Sequence, residues 1–186
     1  MKKKLLIGLS VVALVALLAV GTWAWFTATA EPVTNTFKAG TVEIVLHDEF
    51  AEGGITNWNP GDCTDKVVYV ENTGSKKAYV RVKLTAGWYD EVGEELLNLS
   101  TNNVTYDIGE DWWLGEDGWY YYKGVLEAEN TTSKLIETVC LGGAVTGNEY
   151  QGKTFKLEVK AEAVQASNDA YKDVWSLTKL PWDEEF

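Results

Sequence analysis

Histidine is nearly absent from this chain: His47 is the only one in 186 residues. A zinc site with two histidine ligands is therefore out of reach, and neither HExxH nor GxSxG occurs. Cysteine is scarce too, with Cys63 and Cys140 alone, so no zinc-type cysteine spacing exists. Basic residues number 16 against 28 acidic ones, a formal charge of −12. Such a surface repels phosphate backbones and anionic headgroups, which argues against nucleic acid and acidic lipid as partners. With three prolines against nine Trp and nine Tyr, the composition is that of a β-rich folded body and not of a disordered tail. The length suits one domain with one sizeable core.

The one long apolar run lies at the start. Lys2, Lys3 and Lys4 precede an uncharged stretch over residues 5–26, with small residues at Thr22 and Ala24. That order is the order of a secretory signal peptide, although the run is also long enough to span a bilayer uncleaved. In either case the lysines stay in the cytoplasm and the body is exported. Cleavage is expected between Ala24 and Trp25, with Ala28-Thr29-Ala30 as a second small-x-small site. Removing residues 1–24 takes away three lysines and no acid, leaving 13 basic against 28 acidic residues, or −15.

Beyond Gly40 the apolar pattern has period two. Strands are expected over residues 41–46 with Val42, Ile44 and Leu46 on one face, over 66–71 as a central strand, and over 78–84 with Val80, Val82 and Leu84 inward. A short helix is expected over residues 91–97. Trp112-Trp113-Leu114 and Trp119-Tyr120-Tyr121-Tyr122 flank Gly115-Glu116-Asp117-Gly118, which reads as an aromatic hairpin. Residues 134–140 make a further strand. The clearest is 154–165, where Phe155, Leu157, Val159, Ala161 and Ala163 alternate with Lys156, Glu158, Lys160 and Glu162. About seven strands and little helix predict an all-β, antiparallel two-sheet sandwich or jelly roll. Four regions follow: a signal peptide at 1–24, an N-terminal extension at 25–39, a β-sandwich body at 40–166 and an acidic C-terminal tail at 167–186.

Candidate chemistry is sparse. His47 beside Asp48 and Glu49 reads most simply as a surface residue. Glu110, Asp111, Glu116 and Asp117 have the oxygen ligands that Ca²⁺ takes but match no loop of fixed ligand spacing. The rings at Trp112, Trp113, Trp119, Tyr120, Tyr121 and Tyr122 suit either sugar stacking or core packing with cross-strand pairs. Cys63 and Cys140 are either a disulfide or two buried thiols; export permits the bond and sequence does not decide it. Asn98-Leu99-Ser100, Asn103-Val104-Thr105 and Asn130-Thr131-Thr132 match the glycosylation sequon. No cofactor and no metal are expected.

Four blocks carry a family resemblance. Gly21-Thr22-Trp23-Ala24-Trp25-Phe26-Thr27, followed by Asn35-Thr36-Phe37-Lys38-Ala39-Gly40-Thr41-Val42-Glu43-Ile44, resembles the export junction of the TasA and camelysin family of Gram-positive bacteria, which a SipW-type signal peptidase processes. Asn59-Pro60-Gly61-Asp62 with Val70-Glu71-Asn72-Thr73-Gly74-Ser75, then Asp117-Gly118-Trp119-Tyr120-Tyr121-Tyr122, then Ala161-Glu162-Ala163-Val164-Gln165-Ala166 are similar to that family in the same order. The resemblance implies a mature protein beginning at Trp25, a jelly-roll body, and extracellular fibres of a biofilm matrix in which the N-terminal strand of one subunit inserts into the next. The donor would comprise Trp25, Phe26, Thr27, Ala28, Thr29, Ala30, Val33 and Phe37, with Pro32 interrupting its hydrogen-bond ladder. Implied partners are further copies of the chain, the signal peptidase and other matrix subunits, with the membrane contacted only by the precursor. Two alternatives stand beside it: a camelysin-like surface metallopeptidase, and a carbohydrate-binding module built on the aromatic hairpin.

Overall fold

A computed structural model describes residues 39–184, apart from 53 and 56. The expected signal peptide and the donor strand lie outside the described residues. Eight strands follow in order: β1 (Ile44–Glu49), β2 (Cys63–Asn72), β3 (Ala78–Tyr89), β4 (Val104–Ile108), β5 (Trp112–Leu114), β6 (Tyr120–Tyr122), β7 (Ile136–Leu141) and β8 (Thr154–Gln165). They form two antiparallel four-stranded sheets, ordered β1-β2-β7-β4 and β5-β6-β3-β8. The all-β two-sheet expectation therefore holds. A short helix, α1 (Ala170–Trp175), and two 3-10 turns are the helical content of the described residues. No helix among them is long and apolar enough to cross a membrane.

Alternation explains most of the strands. In β2, Lys66, Val68, Val70 and Asn72 are buried while Val67, Tyr69 and Glu71 are half-buried; in β3, Ala78, Val80 and Val82 are buried. Val68, Val70, Val80 and Val82 are fully enclosed between the sheets, each such side chain contributing about 1.5–3 kcal/mol. Trp88, Val104, Trp112, Leu126, Leu135, Ile136, Val139 and Leu141 complete this core. The strand expected over residues 154–165 is β8 to the residue.

Elsewhere local bonding overrides the pattern. The strand expected from residue 41 begins only at Ile44, because Thr41 and Glu43 bond across a turn: the carbonyl of Thr41 accepts from the Ser75 and Lys76 amides, and that of Glu43 from the Gly74 amide. The helix expected over 91–97 does not form. The Asp90 carboxylate there accepts from the Val92 and Glu94 amides, Gly93 takes φ +87°, and Glu95 bridges Tyr89, so the segment is a tight β loop. β4 is an eighth strand beyond the seven expected.

Residues 167–184, acidic enough to read as a tail, pack on the outer face of the second sheet. Tyr171, Trp175 and Leu180 bury there with Tyr121 and Val164, forming a second, smaller apolar cluster. A helix of six residues is too short to be stable alone, so this packing is what holds it.

Candidate functional site

The start of the described chain is anchored by one buried amide. Asn72 is fully buried; its Nδ2 donates to the carbonyls of Lys76 (2.8 Å), Glu127 (3.1 Å) and Leu126 (3.3 Å), and its Oδ1 accepts from the Gly74 amide at 3.1 Å. Every polar atom of that side chain is thus used. At Gly74 a Cβ would stand 2.6 Å from both the Glu43 amide nitrogen and the Thr41 carbonyl oxygen, so only glycine lets residues 41–43 cross the β2–β3 turn. The Asn72-Thr73-Gly74-Ser75 block thereby fixes where the N-terminal segment joins the body.

From that point β1 runs along one side of the sandwich, and the second sheet ends on the same side with β8. β8 pairs with β3 over its whole length, from Ala78↔Gln165 to Tyr89↔Thr154, and with no other strand among the described residues. Its inward residues Phe155, Leu157 and Val159 stay half-exposed, because β1 has six residues against twelve in β8 and leaves part of the seam uncovered. There a cleft of about 890 Å³ opens, lined among others by Trp58, Trp88, Tyr150, Phe155, Leu157 and Lys66. Its rings form a chain, Trp58 to Phe155 (6.1 Å), Phe155 to Trp88 (5.1 Å) and Trp88 to Tyr150 (5.0 Å). The indole N–H of Trp58 is buried and has no hydrogen-bond partner. The cleft thus sets aromatic side chains beside an edge of β8 that has no strand partner among the described residues, and such an edge can receive an extended peptide.

Other candidate residues are engaged in the body itself. Cys63 and Cys140 face each other across β2 and β7, Cα atoms 4.0 Å apart, and are bonded. His47 stacks on Tyr69 at 4.4 Å, and its Nε2 lies 2.9 Å from Glu71 Oε2. Asp117 accepts from the Tyr121 hydroxyl at 2.7 Å and pairs with Arg81 at 3.5 Å. In the aromatic hairpin, Trp112 and Tyr121 are buried. Trp113 lies under Lys123, and Trp119 under Arg81, Lys83 and Lys160. Cations thus lie over two of the hairpin's rings, Trp113 and Trp119. Burial, with the hydrogen bond to Asp117 second, pushes the Tyr121 phenol up to about 12, and burial does the same for Tyr106. Asn103, in the middle sequon, is buried: its Oδ1 accepts from Trp88 Nε1 at 3.3 Å and its Nδ2 donates to Thr146 Oγ1 at 3.2 Å.

Residues 1–111 match a protein family described as camelysin metallo-endopeptidase. The chain belongs to the camelysin family. No curated protein matches it. Among solved structures, the ASH / PapD-like domain of human CEP192 (PapD-like domain 7) is matched over 75% of this chain and 98% of its own, at 14% identity and a TM-score of 0.35. The family name implies a catalytic metal, and the described side chains do not fit one. Among the described residues no three of His, Cys, Asp and Glu come together as a ligand group. The single histidine is held by a ring and a carboxylate, and both cysteines are spent in the disulfide.

Proposed function

We infer that this camelysin-family chain is a secreted structural subunit that polymerises head to tail, the strand at residues 25–37 of one copy adding to the body of the next. The observation that carries the reading is the outer edge of β8, without a strand partner among the described residues, beside the aromatic cleft. A strand laid there would pair its amides and carbonyls with β8 and cover Phe155, Leu157 and Val159. The donor has one residue more than β8, is uncharged up to Glu31, and carries Trp25 and Phe26 at the end freed by cleavage. A contact between one copy's extension and another copy's edge does not close on itself, so it propagates as a filament. Cleavage after Ala24 would release the donor from the membrane and so time assembly outside the cell.

The experiment is electron microscopy of the purified mature chain beside a variant lacking residues 25–36. The mature chain is expected to form filaments with a one-subunit repeat, and the shortened chain to remain monomeric with an unchanged β-rich circular dichroism spectrum. Filaments of normal length from the shortened chain would sink the reading.

A further inference from the structure

β1 and β2 set one buried lysine beside one aspartate that stays open to solvent. The register Ile44↔Asn72, Leu46↔Val70 and Asp48↔Val68 places Asp48 on the same face as the buried residues of β2. That face points between the sheets, and Lys66 stands there at the wall of the cleft. Lys66 Nζ lies 2.5 Å from Asp48 Oδ1 and 5.2 Å from the centroid of the Phe50 ring. The lysine side chain is 9% exposed and the aspartate 34%. Lysine is among the residues least often enclosed, and among the described residues Asp48 is its one ionic partner.

We propose that Lys66 and Asp48 are joined by an amide bond, a covalent rung between β1 and β2. The reaction is a condensation and needs no outside reactant. A proton passes from the ammonium to the carboxylate across their contact, which makes the amine a nucleophile and the carboxyl a competent acceptor at once. The Nζ–Cγ bond forms, one Cγ–O bond breaks, and that oxygen leaves as water with two of the three ammonium hydrogens. Two groups held this way by a folded sheet react at effective concentrations on the order of 10⁵–10⁸ M. The product replaces a charged pair by a neutral amide, which is less costly to keep out of water.

Its place in the fold gives the bond a role. Residues 39–43 lead into β1, so tension on the N-terminal segment that breaks the bonds of Thr41 and Glu43 to the β2–β3 turn passes next to β1. β1 is an edge strand held to the body through β2, and β2 is bonded to β7 through Cys63 and Cys140. With the amide in place, β1, β2 and β7 are covalently linked in succession. The proposal stands apart from polymerisation and holds or fails on the single chain.

Mass spectrometry of the purified mature chain, reduced, tests it. The intact mass is expected one water below the sequence mass. Trypsin does not cut after an acylated lysine, so residues 39–76 are expected as one looped peptide, lighter by that water. A peptide of residues 39–66 at its full mass, which a plain ion pair would yield, overturns the proposal. So does loss of water with Lys66 still cut, which would mark a succinimide at aspartate. Lys66→Arg keeps the positive charge beside Asp48 without a reactive amine, and is expected at full mass.

Discussion

The guanidinium of Arg81 lies between two indoles, its carbon 4.2 Å from the Trp119 ring centre and 4.7 Å from that of Trp175. Around its rim, Nε and Nη2 donate to Glu162 Oε2 at 3.1 and 2.8 Å, and Nη1 donates to the Tyr121 hydroxyl at 3.1 Å. Stacking uses the faces of the planar cation and hydrogen bonding uses its edge, a division that lysine cannot reproduce. One side chain of β3 thus holds the aromatic hairpin, β8 and the C-terminal helix together.

Trp175→Ala is expected to remove the outer indole and open a cavity under α1. Burial at 7% exposure puts it among tryptophan truncations that cost about 3–5 kcal/mol. Urea unfolding measures the loss. Limited proteolysis should then cut within residues 167–184 before it touches the strands, since few contacts remain to hold that segment.

Acid should loosen the same assembly. Burial raises the Glu162 carboxyl, but hydrogen bonds and charge from Lys160 and Arg81 outweigh it and hold the group below its ordinary 4.5. A folded value below the unfolded one contributes stability above pH 4.5 that disappears as pH falls. The urea midpoint should therefore drop below that pH, and Glu162→Gln should flatten this part of the curve while lowering the midpoint at neutral pH.

Base acts through the phenols. Tyr106 and Tyr121 ionise near 12 instead of their ordinary 10. Their raised values contribute stability that is whole below pH 10 and is lost as pH climbs towards 12. Burial also raises Tyr69, Tyr79 and Tyr120, so a phenolate absorbance titration is expected to show a late group with Tyr106 and Tyr121 at its end, and Tyr121→Phe should remove one phenol from that end.

Reduction tests the bond between β2 and β7. Cys63 and Cys140 are 77 residues apart in sequence, and closing so long a loop typically stabilises a fold by about 2–5 kcal/mol. Reductant should lower the unfolding midpoint of the native chain and leave that of the Cys63→Ala, Cys140→Ala double variant where it is. An unresponsive native chain would show that the thiols are free.

How much of this was readable beforehand depends on how far each contact reaches. β8 declares itself through twelve alternating residues. β4 carries the same alternation in Val104, Tyr106 and Ile108, but in five residues between Asn103 and Gly109, too few to stand out. The acids of residues 167–186 conceal the spacing of Tyr171, Trp175 and Leu180, which acquires meaning only when Tyr121 and Val164 are known to share a face. Lys66 and Asp48 meet through the register of β1 on β2, and the cleft exists because β1 is shorter than β8. Neither fact is local, so neither is written in a window of sequence. The junction at residues 21–44 was the reverse case: its chemistry is legible as a string, and its partner surface is not.

Asn103 adds a consequence for production of the protein. Of the three sequons, those at Asn98 and Asn130 are exposed, whereas Asn103 is closed off by Trp88 and Thr146. In a host that glycosylates, the first two remain reachable on the finished molecule, but an oligosaccharide transferase meets Asn103 only on a chain that has not yet closed. Sugar at that position would be a timestamp, recording that modification overtook folding.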